Sequence, residues 1–123
     1  MLFETRYFLE RLTTKDPEQL GKLRSLLYKS GGRRLVSVIT IYEVYKISLE
    51  EEGRDVAKIR VDAIEREYEV VGIDPETARE GARLSAKLRI PMADSLIMAT
   101  AKKLQVACVT DDPHYSEVKT VWV

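Results

Sequence analysis

Glu4, Glu43, Asp94, Asp111 and Asp112 are the residues of this chain whose type and setting point to chemistry. Each acid interrupts an apolar or tightly turning stretch: MLFET, SVITIYEVYKI, RIPMADSLIMATA and VACVTDDPHY. An acid buried beside a core element is costly unless a cation or hydrogen-bond donors receive it. One such residue is a packing accident. Several, each at the start or end of an element, suggest side chains converging on a metal ion. With only one cysteine and one histidine in the chain, the donors favour a hard cation, Mg²⁺ or Mn²⁺, over zinc. Such an ion can activate a bound water as a nucleophile and stabilise charge developing on a leaving oxygen. Without it, clustered carboxylates repel and raise one another's pKa values.

Each acid also has a local explanation. Thr40-x-x-Glu43 reads as a capping box, in which the glutamate reaches back to the N-cap amide. Asp94 falls in a first helical turn after Pro91, where an acid suits the helix dipole, although Ala93, Leu96 and Ile97 around it are apolar. Asp111-Asp112-Pro113 reads as a turn, and Glu4 as a strand end. Thr110 is placed to hydrogen-bond a carboxylate or phosphate. His114 reads as loop packing, since a metal-binding histidine usually has partners at ligand spacing. Arg6, Lys46 and Arg89 are candidate phosphate contacts, and Tyr7, Tyr42 and Tyr45 read as core or interface residues.

The elements that must position these residues alternate. Short β-branched or apolar runs predict strands near residues 1–4, 35–39, 70–73, 106–109 and 119–122. A helix through Tyr7, Phe8 and Leu12 follows the first strand. Asp16-Pro17 and Asp74-Pro75 each pair an N-cap acid with proline at the first helical position. The helix begun at Asp16 stops at Gly31-Gly32, and that begun at Asp74 runs to about Leu88. Thr40 to Glu52 is the next helix, closed by Gly53. Asp55–Tyr68 carries Val56, Ile59, Ala63 and Ile64 on one stripe. The helix after Pro91 is apolar nearly all round and should be central. Strands alternating with helices predict a single-domain α/β three-layer sandwich with a mainly parallel sheet over residues 1–123. In such a sheet, sites form at the carboxyl ends of strands.

Composition narrows the class. Lys+Arg and Asp+Glu are equal at 20 each, which argues against gripping nucleic acid by bulk charge and leaves any basic patch local. The 33% of charged residues fits a surface laced with ion pairs. Cys108, within the apolar run VACV, reads as a buried core thiol in a reducing compartment. No apolar run approaches the ~20 residues of a membrane span, and no signal peptide is expected at the start, so a cytoplasmic protein is expected. A dinucleotide enzyme is disfavoured because no Gly-x-Gly-x-x-Gly follows a strand. A phosphoacceptor receiver would carry its acid pair after the first strand, whereas here the pair comes late.

An acid after the first strand, Thr-x-x-Glu opening a helix, Ile90-Pro91-Met92-Ala93-Asp94-Ser95 and Val109-Thr110-Asp111-Asp112-Pro113-His114-Tyr115 together resemble the PIN-domain ribonucleases. More closely, they resemble the VapC-type toxins of prokaryotic toxin–antitoxin pairs, over essentially the whole chain. The resemblance implies a metal-dependent endoribonuclease. Its catalytic acids would be Glu4, Glu43, Asp94 and Asp112, with Glu4, Asp94, Asp112 and an assisting Asp111 as ligands of Mg²⁺ or Mn²⁺. Thr110, Arg6 and Lys46 would face the RNA substrate. It further implies a homodimer and a small VapB-type antitoxin aiming a basic side chain at the acids, with the faces around Tyr7, Tyr42 and Tyr45 as the dimer contact or as part of the antitoxin groove. The family usually has Asp, Thr and a small polar residue where this chain has Glu4-Thr5-Arg6. That departure motivates the alternative, a PIN-like module that binds RNA or a protein partner without cleavage.

Overall fold

The computed structural model describes residues 1–123 and contains the expected alternation: β1 (Leu2–Phe3), α1 (Thr5–Thr13), α2 (Pro17–Tyr28), β2 (Leu35–Ser37), α3 (Val38–Glu52), α4 (Arg54–Glu67), β3 (Glu69–Val71), α5 (Pro75–Leu88), α6 (Met92–Leu104), β4 (Cys108–Val109) and β5 (Thr120–Val121). The strands form one sheet in the order β3-β2-β1-β4-β5, and every pairing is parallel.

Side chains alternate across these strands because successive residues point to opposite faces. Leu2, Leu35 and Cys108 pack on one face among Leu84, Ile97, Met98 and Tyr115. Phe3, Val36 and Val109, each one residue further on, pack on the other with Tyr7, Leu23, Val44, Val61 and Tyr68. Both faces are therefore covered, as a parallel sheet requires. α5 and α6 supply one layer, and α1 to α4 the other. Within the second layer Phe3, Tyr7, Phe8 and Tyr68 meet edge to face at centroid distances of 4.8–5.4 Å, the geometry aromatic quadrupoles favour.

Caps set the helix starts. Asp16 and Asp74 accept backbone N–H groups from Glu18 and Thr77 at 3.0 and 2.8 Å, and proline follows each. α3 departs from expectation. Its N-cap is Ser37, whose hydroxyl accepts from Ile39 N at 3.0 Å. The strand thus ends two residues early and Thr40 lies inside the helix. No Thr40–Glu43 capping box forms, which frees the Glu43 carboxylate for another partner. Gly53 joins α3 to α4 at φ 87, a left-handed conformation that glycine adopts without a Cβ penalty.

Two further expectations change. Ile59 belongs to no buried stripe, being 68% exposed, and Ala57 and Val61 face inward instead. Tyr7 is fully buried, its hydroxyl donating to Leu23 O at 3.2 Å, so it cannot join a dimer contact; Tyr42 is 64% exposed. Cys108 is buried, and burial pushes its thiol up to about 12, a chemically quiet state. On the outside, Glu80, Arg83, Lys87, Lys102 and Glu117 form a connected network of ion pairs joining α5, α6 and the segment after β4. No helix is long and apolar enough to cross a membrane.

Candidate active site

Three chain reversals at the carboxyl edge of the sheet bring the acids together. Glu4 leaves β1 and caps α1, accepting Arg6 N at 3.0 Å. Thr110 leaves β4, which is paired directly to β1, and donates to Glu4 Oε2 at 2.7 Å. Glu43 lies on α3, just past β2, and accepts the Thr5 hydroxyl at 2.6 Å on Oε1. Thr5 also meets the Thr40 hydroxyl at 3.0 Å, so a hydroxyl pair locks α1 to α3 beneath the acids.

Asp94 enters from the first turn of α6. Tyr115 donates its hydroxyl to Asp94 Oδ1 at 3.2 Å, while His114 Nδ1 lies 2.9 Å from Oδ2. Asp112 Oδ1 accepts the His114 backbone N–H at 2.8 Å and lies 3.3 Å from its Nδ1. One donor atom each from Asp94, Asp112 and His114 fall within 4.8 Å of one another. Glu4 and Glu43 stand outside that tight triple but within electrostatic reach of Asp94.

The energetics follow from burial. Glu4 is only 3% exposed. Desolvation pushes its carboxyl up to about 7; the hydrogen bonds from Thr110 and Arg6 N hold it back, and the charges of Asp94 and Glu43 add to the rise. Glu43 is raised chiefly by desolvation, against the Thr5 hydrogen bond. A divalent cation fits this arrangement. The donors are mostly carboxylate oxygens, and Glu4, Glu43, Asp94 and Asp112 have no Lys or Arg side chain within ion-pairing distance. Repulsion of this kind persists when something else supplies the positive charge.

The sequence-derived candidates separate here. Glu4, Glu43 and Asp94 come within electrostatic reach of one another, and Asp112 joins Asp94 across His114. Asp111 does not join them: both its oxygens are taken by the Arg6 guanidinium, at 3.1 and 3.2 Å, which holds its carboxyl below the usual range. Arg6 is correspondingly engaged. Thr110 is buried and serves Glu4 and, through its oxygen, the Asp112 N–H at 3.1 Å. Lys46 is exposed on α3, and its charge is felt at Glu43. Arg89 ends α5 in a left-handed C-cap and makes no side-chain bond to the cleft.

His114 was expected to pack in its loop, whereas it stands between Asp94 and Asp112. Its position two residues after Asp112, at a strand exit, was the available signal. Thr5 and Tyr115 were also missed; only their adjacency to Glu4 and His114 in sequence marked them.

Comparison with known proteins gives the same outline. The family model described as PIN domain matches residues 1–121. Ribonuclease VapC4 of Mycobacterium tuberculosis is 34% identical over 95 residues, covering 72% of this chain and 73% of that one. In fold, the DNA-bound VapBC of Salmonella typhimurium matches with a TM-score of 0.81 at 15% identity, over 98% of this chain and 96% of that one. VapBC2 of Rickettsia felis, bound to a promoter DNA fragment, matches at 0.78 and 16%, over 98% and 96%.

Proposed function

Because this chain belongs to the PIN-domain family, we propose that it is a metal-dependent endoribonuclease that hydrolyses phosphodiester bonds of single-stranded RNA, and the toxin of a toxin–antitoxin pair. One observation carries the reading. Four carboxylates, Glu4, Glu43, Asp94 and Asp112, gather at the carboxyl edge of the sheet with no Lys or Arg side chain in ion-pairing contact. Mg²⁺ or Mn²⁺ bound there would neutralise the scissile phosphate and acidify the attacking water.

Asp94 and Asp112 would hold the cation, with Glu4 as the buried third carboxylate and His114 as a nitrogen donor. Tyr115 fixes the rotamer of Asp94 through Oδ1, which turns Oδ2 toward His114 Nδ1 and the space shared with Asp112. Glu43, anchored by Thr5, orients the attacking water. Thr110 keeps Glu4 aimed without contributing charge.

The partners follow from the same charge. A cleft of uncompensated acids receives the forked guanidinium of an arginine well, and a small VapB-type antitoxin supplies it. The face of α3 carrying Ile41, Tyr42, Tyr45 and Leu49, rather than Tyr7, supports a homodimer. A cytoplasmic setting follows from an RNA substrate and a co-expressed inhibitor.

The test is incubation of a single-stranded RNA with the purified chain and Mn²⁺, followed by analysis of the new ends. In-line hydrolysis with departure of the 3′-oxygen leaves 5′-phosphate and 3′-hydroxyl ends and stops in EDTA. No cleavage across varied RNAs, or cyclic-phosphate ends that persist in EDTA, contradicts the reading.

A further inference from the structure

The Arg6–Asp111 pair forms a second rung beside the bond that closes the site. The inner rung is buried: Thr110 to Glu4, between the ends of β4 and β1. The outer rung joins the very next position on the β4 side, Asp111, to the residue two along from Glu4, Arg6, through both nitrogens of one guanidinium edge at 3.1 and 3.2 Å. The two side chains are 47% and 37% exposed. The guanidinium is therefore half-exposed, and near enough to the cluster for the Glu4 charge to be felt at it. Two of its N–H donors are used by Asp111, and the remainder have no protein partner.

We propose that Arg6 is a substrate-phosphate contact parked on Asp111, and that Asp111 acts as its holder, not as a metal ligand. The inference rests on the ribonuclease reading above. Three physical points support it. An exposed ion pair is weak, so exchanging Asp111 for a phosphate costs little. A guanidinium fork matches a phosphate as well as it matches a carboxylate. An unrestrained arginine here is drawn toward Glu4, whose charge already reaches it, and would compete with the cation. Asp111 gives it a nearer partner. The longer Glu4-Thr5-Arg6 opening thereby acquires a use, with one cation in the cleft and a second, protein-borne positive charge at its rim.

Two measurements test this. Mn²⁺ binding by calorimetry on the full chain separates holder from ligand. Asp111→Ala weakens Mn²⁺ binding through the freed arginine, and Arg6→Gln added to it restores the parent affinity. If the double variant stays as weak as Asp111→Ala, Asp111 is a ligand and the proposal fails. It also fails if Asp111→Ala binds Mn²⁺ as tightly as the parent.

The second measurement is fluorescence anisotropy of a labelled single-stranded RNA with Mn²⁺, in a Glu43→Gln background that removes the water-orienting carboxylate, so that the RNA stays uncut while the cation ligands are intact. Arg6→Gln lowers affinity about tenfold and reduces the slope of log affinity against log salt by about 0.7, one phosphate contact on a single strand. Unchanged affinity and slope, with RNA still bound, overturn the role of Arg6 while leaving the nuclease reading intact. Absence of RNA binding by the parent background overturns both.

Discussion

Thr110 Oγ1 donates to Glu4 Oε2 at 2.7 Å across 106 residues of sequence, and it does so between two of the least exposed polar residues in the fold. The bond links the exits of adjacent strands β1 and β4. It is also neutral-to-charged, so it orients Glu4 without discharging it. The carboxylate remains desolvated and, in the metal-free protein, unstable as an anion.

The pH dependence of stability follows. Glu4 titrates at about 7 in the fold against an ordinary 4.5. Between those values the folded chain keeps a proton that the unfolded chain has released, so stability falls as pH rises through this window. Glu4→Gln removes the effect. In EDTA at pH 8 the variant should exceed the parent by about 2–4 kcal/mol in urea denaturation, with the difference vanishing near pH 4. Parallel curves for the two proteins over that range would refute the assignment.

On the proposed reading, His114 sets metal preference. An imidazole nitrogen suits Mn²⁺ better than Mg²⁺, which prefers oxygen donors and retained water. His114→Ala should weaken Mn²⁺ binding about tenfold, ~1.4 kcal/mol, and Mg²⁺ binding much less. Calorimetric titration with each ion reads this directly. An equal loss for both ions would make His114 a support for Asp94 and Asp112 only.

A pair of tyrosines separates satisfied from unsatisfied burial. Tyr68 has a buried hydroxyl with no hydrogen-bond partner, whereas Tyr7 donates to Leu23 O. Tyr68→Phe should leave stability unchanged or raise it by up to about 1 kcal/mol, and Tyr7→Phe should lower it by about 1 kcal/mol. Thermal denaturation of both variants checks the order, and a larger loss for Tyr68→Phe would reverse the account.

The architecture was legible because its signals are local. Asp16-Pro17 and Asp74-Pro75 each mark a helix start at the residue, and the apolar strands carry both faces of the core in their alternation. The start of α3 was misread because Ser37 and Thr40 are both competent caps. Only the end of β2 at Ser37 chooses between them, and that end depends on pairing with β3. The acids of the cleft were legible by their settings. By setting alone Asp111 and Asp112 look alike, since adjacent loop carboxylates differ only in which neighbour they meet; only the family resemblance put Asp112 first and Asp111 in an assisting place. Arg6, which decides it, is 105 residues away from Asp111. The setting of His114 was hidden for a related reason: one of the carboxylates its ring meets, Asp94, is brought in by α6.

The most direct test of the central claim, that the acid cleft is a divalent-cation site, is a crystal of this chain soaked in Mn²⁺ and measured for anomalous scattering. The account predicts an anomalous peak bounded by Asp94, Asp112 and His114, with Glu4 on its buried side, and loss of that peak in Asp94→Asn. At saturating Mn²⁺, an empty cleft, or a peak that survives Asp94→Asn unchanged, would contradict it.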